Sequence, residues 1–415
     1  MIIKKASGCY RLLHTADWHL GKLLNDQSRD DEHAQFLEWL LLAVKEHEVD
    51  AIVLAGDVFD SANPPQSALS RYYNFVSGLF RQGQCALAVI AGNHDSAAQL
   101  EAPKKALHAL NAHVVGYLSE DCGERILLLP DGKNPRVAIA MIPFLRDCDL
   151  RLGKAGEGAD EIRAQVVSGI KNRYEETAAA VQKLKCPIVA TGHLTVVGAS
   201  TSDSEREIHI GGLGAVTPGN LPLAFNYIAL GHLHRPQAAD EDGRIRYAGS
   251  PIALSFGEAQ DRKEVRILDV AADGIDHFGL PIPVFRQLSQ IRTTQAGLEK
   301  ALASFDAVPG DLRPWLEVIV EDATLENDLV DRVRSLSEGK GYEVLKVLRG
   351  KSVSIFGMVV GETSDDEAIE SLLDQPMQVF EHLLGEHETL SKEEIGSLRT
   401  VFEVLVDLEH QAEQK

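Results

Sequence analysis

Five stretches of this chain place Asp, Asn or His directly after a short apolar run. They are Asp17-x-His19, Gly56-Asp57-x-x-Asp60, Gly92-Asn93-His94-Asp95, Gly192-His193 and Gly231-His232-x-His234. A single histidine or Gly-Asp pair is more often structural than functional. Five in order supply carboxylate, imidazole and amide donors and no thiolate. That mixture suits harder divalent ions such as manganese or iron better than a thiolate-rich zinc site does. Two aspartates, four histidines and one asparagine fill the shells of two adjacent ions only if one carboxylate is shared. Asp57 is expected to be that carboxylate. Two such ions can lower the pKa of a water and clamp the oxygens of a phosphate, which is the chemistry of phosphoester hydrolysis.

The elements that must carry these groups read as alternating strands and helices. Strands are expected at Tyr10–Thr15, Ala51–Leu54 and Ala86–Ile90, each ending at one of the stretches. Between them lie an amphipathic helix within Ser28–Glu48 and a second, opened by Pro64-Pro65 and running to about Arg81. A helix from about Ala97 to Leu110 follows. This is the texture of a layered α/β domain, and its ligand sites are expected at the strands' carboxyl ends. Further on, strands at Ile126–Leu129 and Val137–Ile142 are followed by a helix over Ile162–Leu184. The strands Pro187–Thr191 and Asn226–Leu230 then deliver Gly192-His193 and Gly231-His232. Strands at Arg244–Ala248, Glu264–Val270 and Asp276–Leu280 complete a fold with two sheets.

Pro281 and Pro283 mark a boundary. The expected layout is a two-sheet domain over 1–281 flanked by helices, a small α+β unit over 282–352, an acidic linker over 353–375 and a helix pair over 376–415. The small unit ends in Lys340, Lys346, Arg349 and Lys351, either a solvated face or a contact for nucleic acid. Gly350-Lys351-Ser352 is not a phosphate-binding loop, because the glycine needed five residues earlier is Leu345. In the last stretch Met377, Phe380, Leu383 and Leu384 form one apolar stripe. Ile395, Leu398, Phe402, Leu405 and Leu408 form a second, behind the capping box Ser391-x-x-Glu394. Such helices either pack on the body or grip another protein.

The 415 residues carry 41 Lys and Arg against 62 Asp and Glu, a formal charge of −21. Nucleic-acid binders usually show a basic footprint. Much of the excess lies in Met358–Lys415, with fifteen acidic residues against three basic ones. Two divalent ions would add positive charge locally, so global charge does not decide the substrate. The five cysteines are scattered and form no CxxC pair, against a disulfide framework or a zinc ribbon. The start, MIIKKASGCY, lacks an apolar core and a cleavage site, and no apolar run is long enough to span a membrane. The expected compartment is the cytoplasm.

Longer stretches extend the pattern: HTADWHLG (His14–Gly21), AGDVFD, AGNHDS (Ala91–Ser96), ATGHLTVVGAS (Ala190–Ser200), YIALGHLHRPQ (Tyr227–Gln237) and YAGSPIALSF (Tyr247–Phe256). Together they resemble the metallophosphoesterase superfamily and, within it, the SbcD family, the nuclease subunits of bacterial SbcCD complexes. These are relatives of the archaeal and eukaryotic double-strand-break repair nucleases. The likeness is specific to about Leu280 and is one of layout beyond. It implies that Asp17, His19 and His234 hold one ion, Asn93, His193 and His232 the other, and that Asp57 bridges them. His94 would act at the scissile phosphate as acid or transition-state stabiliser, oriented by Asp95. Asp60, Lys346, Arg349 and Lys351 are candidates for DNA contact or support. The resemblance further implies two divalent ions, manganese first. It implies 3′-to-5′ exonuclease activity on duplex ends and endonucleolytic opening of hairpins, dependent on ATP and serving DNA repair, recombination and replication at the nucleoid. It also implies an SbcC-type ATPase partner bound through the C-terminal helices, and a homodimer within a heterotetramer, with Pro64–Arg81 as the candidate dimer helix. A phosphatase of small esters or phosphoproteins on the same scaffold is the competing function.

Overall fold

Largely apolar runs form most of the parallel strands of two sheets, as strands covered on both faces require. The computed structural model describes residues 4–83, 85–151, 157–201, 205, 215–306, 310, 312–322 and 329–350. In chain order, β1 (Tyr10–Thr15) leads to a ribbon of β2 (Leu23–Leu24) and β3 (Gln27–Ser28). Then come α1 (Asp30–Glu46), β4 (Ala51–Ala55), α2 (Gln66–Gln82), β5 (Ala86–Ile90), α3 (Ala97–Glu101), α4 (Lys104–Ala109) and β6 (Ala112–Val115). The next group is β7 (Ile126–Leu129), β8 (Val137–Ala140), α5 (Asp147–Leu150), α6 (Ala159–Val181), β9 (Ile188–His193) and β10 (Tyr227–Gly231). It is followed by β11 (Gln237–Ala238), β12 (Ile245–Tyr247), β13 (Glu264–Ala271) and β14 (Gly274–Pro281). Last are β15 (Leu288–Thr293), α7 (Leu298–Ala303), β16 (Trp315–Val320), α8 (Leu329–Ser337) and β17 (Glu343–Arg349).

The first sheet has the order β14-β13-β1-β4-β5-β6 and the second β11-β12-β10-β9-β8-β7. Each has a parallel centre: β1, β4, β5 and β6 in one, and β8, β9, β10 and β12 in the other. Alternation along the strands sorts side chains into layers. Ile52 and Leu54 of β4 face Phe36, Leu40, Tyr72 and Phe75 of α1 and α2. Ala51, Val53 and Ala55 face the other way, onto Ile139, Val189 and Ala229 of the second sheet. Behind that sheet, Ile228 and Leu230 pack with Val166, Ile170 and Tyr174 of α6. The layers are therefore helix, sheet, sheet, helix. Small alanines fill much of the space between the sheets. His14 ties them together, one ring nitrogen 3.1 Å from the Tyr227 hydroxyl and the other 3.1 Å from the Leu230 carbonyl.

One expected helix is split, and several short elements were not expected, β2, β3, α5 and β11 among them. The helix expected over 97–110 is broken into α3 and α4, with Pro103 between them, because proline has no N–H to continue the ladder. Strand β6 was not expected: it is four residues long and follows Asn111, whose φ is 58°. A third sheet has the order β15-β16-β17. By internal packing the chain separates into two units, residues 1–291 with 304–317 and 334–346, and residues 292–303 and 318–333 with the chain from 347. Lys351, the linker and the helix pair of 376–415 lie outside the described residues.

Candidate metal centre

The carboxyl ends of β1, β4 and β5 in one sheet and of β9 and β10 in the other converge. Residues 17–20 leave β1 alongside residues 56–60 leaving β4. The amides of Asp17, His19 and Leu20 donate to the carbonyls of Gly56, Asp57 and Val58 at 3.0 Å each. Trp18 anchors this double loop. Its ring lies edge-on to Phe36 and Phe75, and its indole N–H donates to the Thr15 hydroxyl at 3.0 Å. With Trp18 and Val58 in the helix-side core, Asp17, His19 and Asp57 are left to the site, all buried.

Backbone strain concentrates at the expected ligands. Asp17, His19, Asp57 and His232 have φ values of 53°, 45°, 49° and 96°. Such residues cost about 1–3 kcal/mol each and persist where the surroundings over-determine them, as they do at functional sites. The glycines before the ligands serve close approach. A Cβ on Gly56 would strike the His193 ring and Gly92, and one on Gly231 would strike the Ala55 carbonyl.

Three histidines share one arrangement: Nδ1 is held by an oxygen, which leaves Nε2 for the site. His193 Nδ1 lies 3.0 Å from the Ala55 carbonyl, His94 Nδ1 2.7 Å from the Asp60 carbonyl, and His234 Nδ1 3.3 Å from Glu258 Oε1. Since a carbonyl only accepts, Nδ1 of His193 and of His94 carries the proton. Fixing the tautomer in this way is how metal-binding histidines are oriented. Asp57 lies among them. Its Oδ2 is 3.3 Å from His193 Nε2 and 3.5 Å from His19 Nε2, and its Oδ1 accepts the His94 amide at 2.9 Å. Two groups able to hold an ion, His19-Asp57-His94 and Asp17-Asp57-His193, share Asp57. Asn93 Oδ1 lies 2.9 Å from His193 Nε2, and the His232 amide donates to Asp17 Oδ1 at 2.8 Å. The rings of His19 and His234 are 5.0 Å apart, and those of His193 and His232 5.5 Å apart. All seven expected ligands and His94 therefore belong to one cluster.

The donors fit divalent ions. Asp17 Oδ2 and His19 Nε2 are buried without a hydrogen-bond partner, a costly state that a bound cation relieves. Burial works against a proton on His193, yet Asp57 and Asp17 raise its pKa to about 9. On His19 and His232 burial prevails, and their pKa values are lowered to about 4 and about 3.

Asp95 does not orient the His94 ring as expected. Its carboxylate accepts the amides of Val58, Phe59 and Gly92 at 3.1, 3.0 and 2.8 Å, so it fixes the Asp57 loop instead. The Asp60 carbonyl is what holds His94, while the Asp60 carboxylate lies 3.2 Å from His19 Nδ1 and 3.1 Å from Lys22 Nζ. Asp60 is thus placed as a support. Lys346 pairs with Glu317 on the neighbouring strand at 3.3 Å, and Arg349 is exposed at the end of β17.

A family described as calcineurin-like phosphoesterase matches residues 10–236, which contain every expected ligand. The chain is 36% identical over 403 residues to the SbcD subunit of the SbcCD nuclease of Escherichia coli (strain K12), covering 91% of this chain and 100% of that protein. The chain belongs to the SbcD family. The corresponding SbcCD nuclease subunit of Rhodobacter capsulatus is 38% identical over 321 residues, 74% of this chain and 78% of that protein. That of Bacillus subtilis is 38% identical over 263 residues, 62% and 66% respectively. A second family, described as Type 5 capsule protein repressor C-terminal domain, matches residues 284–388. This SbcD-family chain also has supporting residues that the sequence did not disclose. Glu258 and Lys263 lie behind His234, and Glu205 accepts the His234 amide at 2.6 Å. Glu258 stands two residues past the last quoted motif, and a lone glutamate after an apolar run is a weak signal.

Proposed function

We propose that this SbcD-family chain is the metal-dependent nuclease subunit of an SbcCD-type complex and hydrolyses DNA phosphodiesters at two divalent ions, manganese first, that share Asp57. The observation that carries this reading is that Asp57 belongs to both candidate ligand groups at the strand ends, although those groups set Asp17 beside His193 and include His94. Asp17, His19 and His234 would hold one ion, and Asn93, His193 and His232 the other. When bound, the ions lower the pKa of a water and clamp the phosphate oxygens. The chain's own residues do the rest. Asp60 fixes the His94 ring with Nε2 free to face the leaving oxygen, as a general acid or a stabiliser of its charge. Asp95 holds the Asp57 loop by the two amides of Val58 and Phe59 and its own loop by that of Gly92, so the shared carboxylate keeps its position.

The activities that follow are ATP-dependent 3′-to-5′ exonuclease action on duplexes and opening of hairpins, in the cytoplasm at the nucleoid. Within residues 282–352, Lys346, Arg349 and Lys351 are the candidate DNA contacts, and residues 376–415 are the candidate binding element for the SbcC-type ATPase. A homodimer is supported by α2, where Tyr73 and Phe80 are 38% and 46% exposed at seven-residue spacing. None of the described helices is long and apolar enough to cross a membrane. The test is cleavage of an end-labelled duplex with manganese, set beside a small phosphodiester. Shortening of the duplex that a chelator abolishes is expected. Hydrolysis of the small ester alone would instead establish a small-ester phosphodiesterase.

A further inference from the structure

Glu258 and Lys263 form a buried ion pair with no part in the ligand set. Burying a pair of charges is often no more stabilising than apolar residues in its place, so stability alone is a poor reason for one. Their hydrogen bonds give a better reason. Glu258 Oε2 accepts from Lys263 Nζ at 2.6 Å and the Leu254 amide at 3.1 Å, while the Ser250 hydroxyl donates to the Ile252 carbonyl at 2.9 Å. That leaves Oε1 turned to His234 Nδ1 at 3.3 Å. Lys263 Nζ also donates to the His234 carbonyl and to Ser250 Oγ, each at 2.9 Å. An ammonium has three hydrogens, and these three partners use them all, so Lys263 keeps none for a phosphate. His234 is gripped at its ring and at its backbone. His193, on the other side of Asp57, has its Nδ1 on the main-chain carbonyl of Ala55 instead. A carboxylate behind a histidine orients it and also raises its basicity as a ligand, which a carbonyl does more weakly.

We propose that Glu258 and Lys263 are positioning residues for His234, and that they set the affinity of the one ion His234 serves without setting that of the other. The proposal rests on the two-ion reading above. It is tested by titrating manganese into the full-length chain by calorimetry, with metal-free thermal midpoints, for the wild type, Glu258→Gln and the double variant Glu258→Gln/Lys263→Met. The wild type takes up two ions. In Glu258→Gln one ion keeps its affinity and the other weakens by about 10–100-fold, as outer ligands of metal sites do on substitution. The double variant removes the buried unpaired charge, so its thermal midpoint returns toward the wild type while the weak ion stays weak. Two ions of wild-type affinity in folded Glu258→Gln overturn the proposal. So does affinity that recovers together with the midpoint, since the pair would then be merely structural. Should neither variant fold, the ¹⁵N spectrum of the wild-type histidines decides: a His234 ring protonated at Nδ1 supports the clamp, and one protonated at Nε2 overturns it. A wild-type chain that takes up fewer than two ions contradicts the two-ion reading itself, and the clamp with it.

Discussion

Nδ1 of His94 is committed to the Asp60 carbonyl, and its amide to Asp57, so the ring presents Nε2 from a fixed backbone. Removing the ring should therefore leave the seven ligands in place. His94→Ala is expected to keep two manganese ions per chain and to lower turnover by about 10²–10⁴-fold, the usual worth of a positioned acid or base. Metal analysis alongside single-turnover cleavage checks this. A variant that also loses its ions would make His94 a ligand. Donor chemistry made the residues around it legible in the sequence, because an ion needs carboxylate and imidazole and the five stretches supply them in order. The role of Asp95 was not legible. Its partners are backbone amides of Val58 and Phe59, distant in sequence, and an amide has no signature in residue type.

Strand ends, rather than single residues, create the site, and they do so by approaching closely. The atom opposite Gly231 is the Ala55 carbonyl, which cannot swing aside as a flexible side chain can. Gly231→Ala is expected to lower stability by about 1–3 kcal/mol, the scale of overpacking, and to weaken manganese binding through His232. Thermal denaturation and manganese titration read the two effects. Between the sheets, burial holds the His14 pKa down at about 3 against an ordinary 6.5. As pH falls below 6.5 the unfolded chain takes up this proton before the folded chain does. The stability linked to His14 is thus complete above about pH 6.5 and is lost progressively toward pH 3. His14→Gln should be less stable at pH 7, having lost its ties to Tyr227 and Leu230. It should lose less on acidification from pH 6.5 to 4, as denaturant midpoints at the two pH values would show. The strands were legible because their apolar runs are short and bounded. The four-residue β6 was not, being so short and set by a local turn at Asn111, whereas the break at Pro103 is open to a sequence reading because proline cannot continue a helix.

At the scale of the molecule, a charge of −21 has to coexist with the DNA substrate proposed above. Two bound ions would answer part of this by supplying positive charge at the site. Assembly with other chains is the second matter at this scale. Deleting 375–415 is expected to abolish capture of the ATPase partner while manganese-dependent cleavage of simple substrates survives. Retained capture in a pull-down would move the contact elsewhere. The two-sheet layout was legible in the sequence, because periodicity and the order of motifs define it. Assembly was legible only as two apolar stripes in the sequence of 377–408, which do not name what they pack against. That Asp57 serves two ions is tested most directly by anomalous diffraction from crystals of the full chain grown with manganese. Two peaks about 3.5–4 Å apart, with the Asp57 carboxylate between them, are predicted. A single peak, or two peaks without Asp57 between them, would contradict the shared role of this carboxylate.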